Sequence, residues 1–138
     1  MAAHYRIDTP SACAVLTISG QPLSWPDFVS LVSAMIDDAA YAPGMPVLED
    51  VRDLEVPPPT DCMRAMVGLF QLRADRLAGA RWAMVVGGDH AAMYGLGRMA
   101  EILAHESPVT FSVFRSLEDA QAWLREDPTA EVVPTASA

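Results

Sequence analysis

Apolar and polar positions alternate between two rhythms along this chain. Ala12 to Ser19 is an apolar run closed by Gly20 and reads as a strand. Tyr5 to Ile7 precedes it across a Pro10-Ser11 turn, so the opening predicts a hairpin. The period then changes: Phe28, Leu31, Val32, Met35 and Ile36 recur at helical spacing behind Ser24-Trp25-Pro26-Asp27. In that start Ser24 can accept a first-turn amide, Pro26 suits the first turn, and Asp27 completes a capping box. This helix is expected to end near Ala40, before Pro43-Gly44.

A second core strand covers Pro46 to Asp50 and extends toward Leu54, and three prolines, 57 to 59, break the chain. Thr60 is then expected to cap one long helix reaching Leu77 and stopped by Gly79, with Met63, Met66, Val67, Phe70, Ala74 and Leu77 as its buried stripe. Arg81 to Val86 reads as a strand, Ala91 to Ala104 as a helix capped by Asp89, and Val109 to Phe114 as the last strand. Ser116-x-x-Asp119 caps a final helix through Leu124. Residues 1–126 are expected to form a single domain, and the polar, Pro-containing stretch 127–138 a flexible tail.

The order is ββαβαβαβα. Strands separated by helices predict right-handed crossovers and a mixed, mostly parallel α/β sheet. Val109, Phe111 and Val113 alternate with Thr110 and Ser112, which predicts helices mainly on one face and a less deeply buried second face.

Charge narrows the function classes. The 138 residues carry a formal net charge of −9, and all 9 cations are Arg. Such a chain repels phosphate backbones and anionic lipid, which argues against nucleic acid as a partner. No apolar run reaches the length of about 20 residues that spans a bilayer, so no membrane insertion is expected. The N-terminal residues lack the pattern of a secretory leader, which predicts a cytoplasmic protein. Cys13 and Cys62 stand far apart, and His4, His90 and His105 have no ligand spacing, so neither a disulfide framework nor a metal site is expected.

One motif invites a cofactor. Gly95-Leu-Gly-Arg-Met-Ala100 spells Gly-x-Gly-x-x-Ala, as in a dinucleotide-binding turn. The first glycine of that turn should follow its strand directly, whereas Gly95 comes nine residues after Val86. Ala92, Leu96, Met99, Ala100 and Leu103 instead share a helical face, so the glycines are expected to let a helix pack closely on the sheet. No cofactor is expected.

The segment Tyr94 to Glu101 (YGLGRMAE), the ending Val113 to Leu124 (VFRSLEDAQAWL) and the element order resemble the SpoIIAA-like family, related to STAS domains. The resemblance implies a STAS-like fold and a non-catalytic regulatory or binding module working through protein–protein contacts. Kinship with Sec14-type folds implies the alternative, a carrier of a small apolar, lipid-like ligand, for which Met35, Met63, Met66, Met84, Met93 and Met99 offer an adaptable lining. A small enzyme is the third reading. Anti-sigma antagonists carry a phosphorylatable serine in an Asp-Ser motif after the third strand. Here the matching region is Pro57-Pro-Pro-Thr-Asp-Cys62, and Thr60 is its nearest hydroxyl, a candidate phospho-switch as well as a cap.

Two further sets complete the candidates. Asp50, Arg52, Asp89 and His90 follow the central strands, where open α/β sheets bind ligands. An Asp–His pair could act as base and orienter, but no nucleophile is spaced to complete a triad. Ala65, Leu69 and Leu72 form a second apolar flank on the helix from Thr60, beside Arg76, and mark the expected homodimer interface.

Overall fold

The structure is a computed structural model and describes residues 2–126. The tail expected over 127–138 lies outside the described residues. Ten elements follow in order: β1 (Ala2–Asp8), β2 (Cys13–Ser19), α1 (Trp25–Ile36), β3 (Val47–Asp50), α2 (Asp61–Leu72), α3 (Ala74–Leu77), β4 (Arg81–Val85), α4 (Ala91–Leu103), β5 (Thr110–Phe114) and α5 (Leu117–Arg125).

The five strands form one sheet in the order β1-β2-β3-β4-β5. β1 and β2 are an antiparallel hairpin with Ala2 opposite Ser19, and every later pair is parallel. This topology explains where the helices go. Each crossover steps one strand in the same direction, and crossovers keep a right hand, so α1, α2 and α4 must all fall on one face. The last helix, α5, has no further strand to reach and folds back over the opposite face. The mixed, mostly parallel sheet with helices mainly on one face is as the sequence pattern predicts.

The main core lies beneath the three crossover helices. Ala14, Leu16 and Ile18 of β2, Val47 of β3, Trp82 and Met84 of β4, and Phe111 and Val113 of β5 meet Val32, Met35 and Ile36 of α1, Met66 and Phe70 of α2, and Met93 and Leu96 of α4. A smaller second core joins Leu48, Ala83 and Val85 to Ala120 and Leu124 of α5. β4, buried on both faces, shows no exposed position.

Helix starts depend on backbone conformation. Ser24 (ψ 156°) and Ser116 (ψ 132°) are extended, and each hydroxyl accepts an amide, from Asp27 and Asp119. Thr60 departs from the expected cap. Its backbone is already helical (φ −60°, ψ −30°), and its side chain makes no capping bond. A hydroxyl reaches the first-turn amides only from an extended N-cap. Asp89 does not cap α4 either: the helix starts at Ala91, so His90 takes the N-cap and its Nδ1 accepts the Met93 amide at 3.4 Å.

Two helices are shorter than the pattern predicts. α1 stops at Ile36, with Asp37 as its C-cap. The long helix from Thr60 breaks at Arg73 (φ −109°, ψ 35°), separating α2 from the single turn of α3. At the break the Arg73 guanidinium spans Asp37 (2.6 Å) and Asp75 (3.1 Å). Gly79 follows with φ +85°, a conformation that a side chain disfavours, and ends the segment as expected.

The glycine motif lies inside α4. Its buried face is Met93, Leu96, Gly97 and Ala100, whereas Ala92 and Met99, expected on that face, point outward. A Cβ on Gly97 would come within 2.3 Å of Val113 Cγ2 on β5, while one on Gly95 would meet nothing within 4 Å. Close packing thus explains one glycine of the pair.

Candidate functional site

β3 is too short to show its pattern well, yet its alternation decides the site. Val47, Glu49 and Val51 fall on the core side, and Leu48 faces α5. The sequence therefore puts a carboxylic acid among core positions, where it is 5 % exposed. In the β3–β4 register Val47 stands opposite Trp82 and Glu49 opposite Met84. The Trp82 indole reaches one pair along and donates its Nε1–H to Glu49 Oε1 at 2.8 Å. Burial pushes the Glu49 carboxyl up to about 7, and the indole hydrogen bond only partly opposes this.

Glu49 lies in the wall of a cleft at the carboxyl ends of the parallel strands, the usual ligand position in an open α/β sheet. Ile18 of β2 and Met84 of β4 share its floor, and Val51 and Leu54 continue it. The starts of three helices close over it: Trp25 and Phe28 from α1, Cys62 and Met63 from α2, and Met93 from α4. Trp25 and Phe28 stack with ring centroids 5.5 Å apart. The cavity has ≈ 50 Å³ of interior and opens into ≈ 490 Å³ counted out to solvent. Glu49 is the one charged residue in this lining among the described residues. Such an apolar wall with a single polar group that fixes orientation is the common form of a small-molecule site.

The polar residues expected to form a cluster divide into two. Arg52 donates from Nε and Nη2 to Asp50, both at 2.9 Å, and its backbone N–H adds a third bond at 3.1 Å. Burial raises the Asp50 carboxyl, but the hydrogen bonds from Arg52 outweigh this and hold it below the usual carboxylate range. His90 is engaged as the α4 cap, and Asp89 is exposed beside it. The Gly87 turn lies against the Arg52 carbonyl. No hydrogen bond or ion pair joins Asp50–Arg52 to Asp89 or His90 among the described residues. The arrangement thus gives two local structural contacts rather than one acid–base centre.

The expected interface set is dispersed as well. Leu69 is buried inside the main core, and Ala65 is half-buried. Arg76 donates to the carbonyls of Ile36 and Tyr41, both at 2.7 Å, and lies over the Tyr41 ring. Asp75, next to Arg76 in sequence, is paired with Arg73. Leu72 alone of the four is fully exposed, at 78 %. Thr60 is exposed at the start of α2.

Cys13 and Cys62 are both free and half-buried. Burial pushes the Cys13 thiol up to about 11 and raises Cys62 as well, which disfavours the nucleophilic thiolate. Among the described residues no His, Cys, Asp and Glu group has the geometry to hold a metal ion, and no helix is long and apolar enough to cross a membrane.

Sequence reasoning did not single out Glu49 and Trp82. The signal was there: an acid two residues after Val47 and two before Val51, inside a segment expected to be a core strand.

No family model matches the chain, and a comparison with curated proteins finds no significant similarity. Among solved structures the chain is similar to one from the crystal structure of diguanylate cyclase SiaD in complex with its activator SiaC from Pseudomonas aeruginosa. The identity is 11 %, the TM-score 0.45, and the match covers 82 % of this chain and 93 % of that one.

Proposed function

We propose that this domain is a non-catalytic regulatory module of STAS-like, SpoIIAA-like type, working through protein–protein contact, with a second copy of itself as partner. The observation that carries the reading is a set of large apolar side chains left in water on two adjoining helices. Leu72 is 78 % exposed at the end of α2, Ile102 is 74 % exposed in the last turn of α4, and Met99 precedes Ile102 by one turn at 37 %. α2 packs on α4. Both helices connect parallel strands and so run the same way, which brings their last turns to the same edge of the molecule. A two-fold axis through that edge would bury the same side chains from both copies. Leu72 and Ile102, rather than Leu69 and Arg76, are then the interface residues. Sedimentation equilibrium tests this: the native chain should be dimeric and the Leu72→Asp, Ile102→Asp double variant monomeric. A monomeric native chain, or a double variant that associates unchanged, removes the reading.

Thr60 belongs to the same proposal as a position of control. Thr60 is exposed and makes no capping bond at the start of α2, where a phosphate would place negative charge beside the helix N-terminus. Thr60→Glu should alter self-association, and an unchanged equilibrium would exclude Thr60 as the switch.

The cleft around Glu49 favours a second reading, a carrier of a small apolar ligand. Native mass spectrometry of the purified chain should then show a bound species that a cleft-filling Met63→Trp substitution displaces.

A further inference from the structure

Glu49 occupies a core position where a glutamine could accept the Trp82 hydrogen bond equally well. Its carboxyl spends one oxygen on that bond, at 2.8 Å. Among the described residues no group donates to Oε2, and no cation pairs with the side chain. No fully enclosed side-chain oxygen lacks a partner in the described chain, so Oε2 is the oxygen that the cleft reaches. The surrounding chemistry is one-sided. Met63, Met84 and Met93 supply soft apolar surface, and the stacked rings of Trp25 and Phe28 form the wall toward the α1 side. An anionic ligand would meet a carboxyl group in a chain of net charge −9. A cation meets a carboxylate and aromatic faces, both of which attract it.

We propose that this cleft binds a small aliphatic amine, whose ammonium group donates to Glu49 Oε2 and whose hydrocarbon body the methionines and the Trp25–Phe28 pair enclose. The interior of ≈ 50 Å³ suits a body of a few carbon atoms. The proposal deepens the carrier reading and rests on it, because it assumes that the cleft admits a ligand.

The test compares two probes with one carbon skeleton, isopentylamine and isopentanol. Each is titrated into the full chain at pH 8, where the carboxyl is ionised, while the Trp82 indole N–H resonance is followed by NMR. The amine should shift that resonance saturably and bind at least about tenfold more tightly than the alcohol. In Glu49→Gln, which keeps the acceptor for Trp82, the two affinities should fall to within about twofold of each other. Alcohol binding as tight as the amine would end the amine proposal and leave a carrier of neutral ligands. Saturable binding of neither probe would end both. A preference that survives in Glu49→Gln would separate amine recognition from Glu49 and overturn the assignment. The comparison of probes on the native chain stands even if the variant does not fold.

Discussion

Adding one methyl group to Gly97 should cost this protein far more than adding it to Gly95, two residues away on the same helix. At Gly97 the new carbon would lie 2.3 Å from Val113 Cγ2, 2.5 Å from its Cβ and 3.1 Å from its Cγ1. Relaxed carbon–carbon contacts sit at about 3.5–4.0 Å, so the deficit exceeds 1 Å. Val113 cannot step aside. Its side chain is β-branched and stiff about χ1, and its Cβ is fixed by the β5 backbone, which pairs with β4. The Val113 amide is held as well, donating to Glu101 Oε2 of α4 at 2.8 Å. α4 must therefore back away, loosening Met93, Leu96 and Ala100 from the core. Overpacking of this kind costs about 1–3 kcal/mol, and the better helix propensity of alanine returns up to about 1 kcal/mol. A clash that includes Cβ belongs at the upper end, so Gly97→Ala should lose about 2 kcal/mol net. Gly95→Ala meets open space and is exposed; it should gain about 0.5–1 kcal/mol. Urea unfolding of both variants reads the difference as opposite shifts in midpoint at constant m-value. Adding Val113→Ala to Gly97→Ala removes two of the three contacts, so the double variant should lose less than the sum of the single ones. Equal stability of the two glycine variants, or a gain in Gly97→Ala, would refute the close-packing account of the motif.

Glu49→Gln should change how stability depends on pH. The folded carboxyl titrates at about 7, above its unfolded value of about 4.3, so the folded chain holds a proton that the unfolded chain sheds. This contribution is complete below about pH 4 and is lost as pH rises through about 7, amounting to on the order of 3 kcal/mol. Unfolding midpoints should show the native chain losing ground to Glu49→Gln across that interval, and parallel profiles would contradict it. Thr60→Ala should leave stability within about 0.5 kcal/mol of the native chain, because no capping bond is lost. Ser24→Ala should cost about 1 kcal/mol, and a thermal melt that ranks the two the other way would reject the account of the caps.

The element order and the mixed, mostly parallel sheet were legible because period and punctuation agreed in nearly every segment. What escaped was set by tertiary contact. The break at Arg73 falls in an unbroken helical pattern, and its ion-pair partner Asp37 is remote in sequence. Thr60 has the composition of a cap, but its own backbone conformation withholds the hydroxyl. Leu69 and Leu72 look alike on a helical wheel, yet α2 rests deeply enough in the core to bury the first and expose the second. The site was hidden for a different reason. Glu49 is the third residue of a strand of only 4, too few for alternation to mark an acid as core-facing, and only the register with β4 brings Trp82 to it.

The sheet's sequential order also bears on how the chain assembles. Each strand pairs with its predecessor in sequence, so every closure during synthesis is short and the sheet can grow from its first hairpin outward. Its second face is the exception. Leu48, Ala83 and Val85 are complete as a surface once β4 has paired, but their cover, Ala120 and Leu124, lies in the last described helix. A nascent chain therefore carries a bare apolar face until α5 has left the ribosome, and a chain truncated before α5 carries it permanently. That interval is when the protein is most open to association with other unfinished chains and to holding by chaperones.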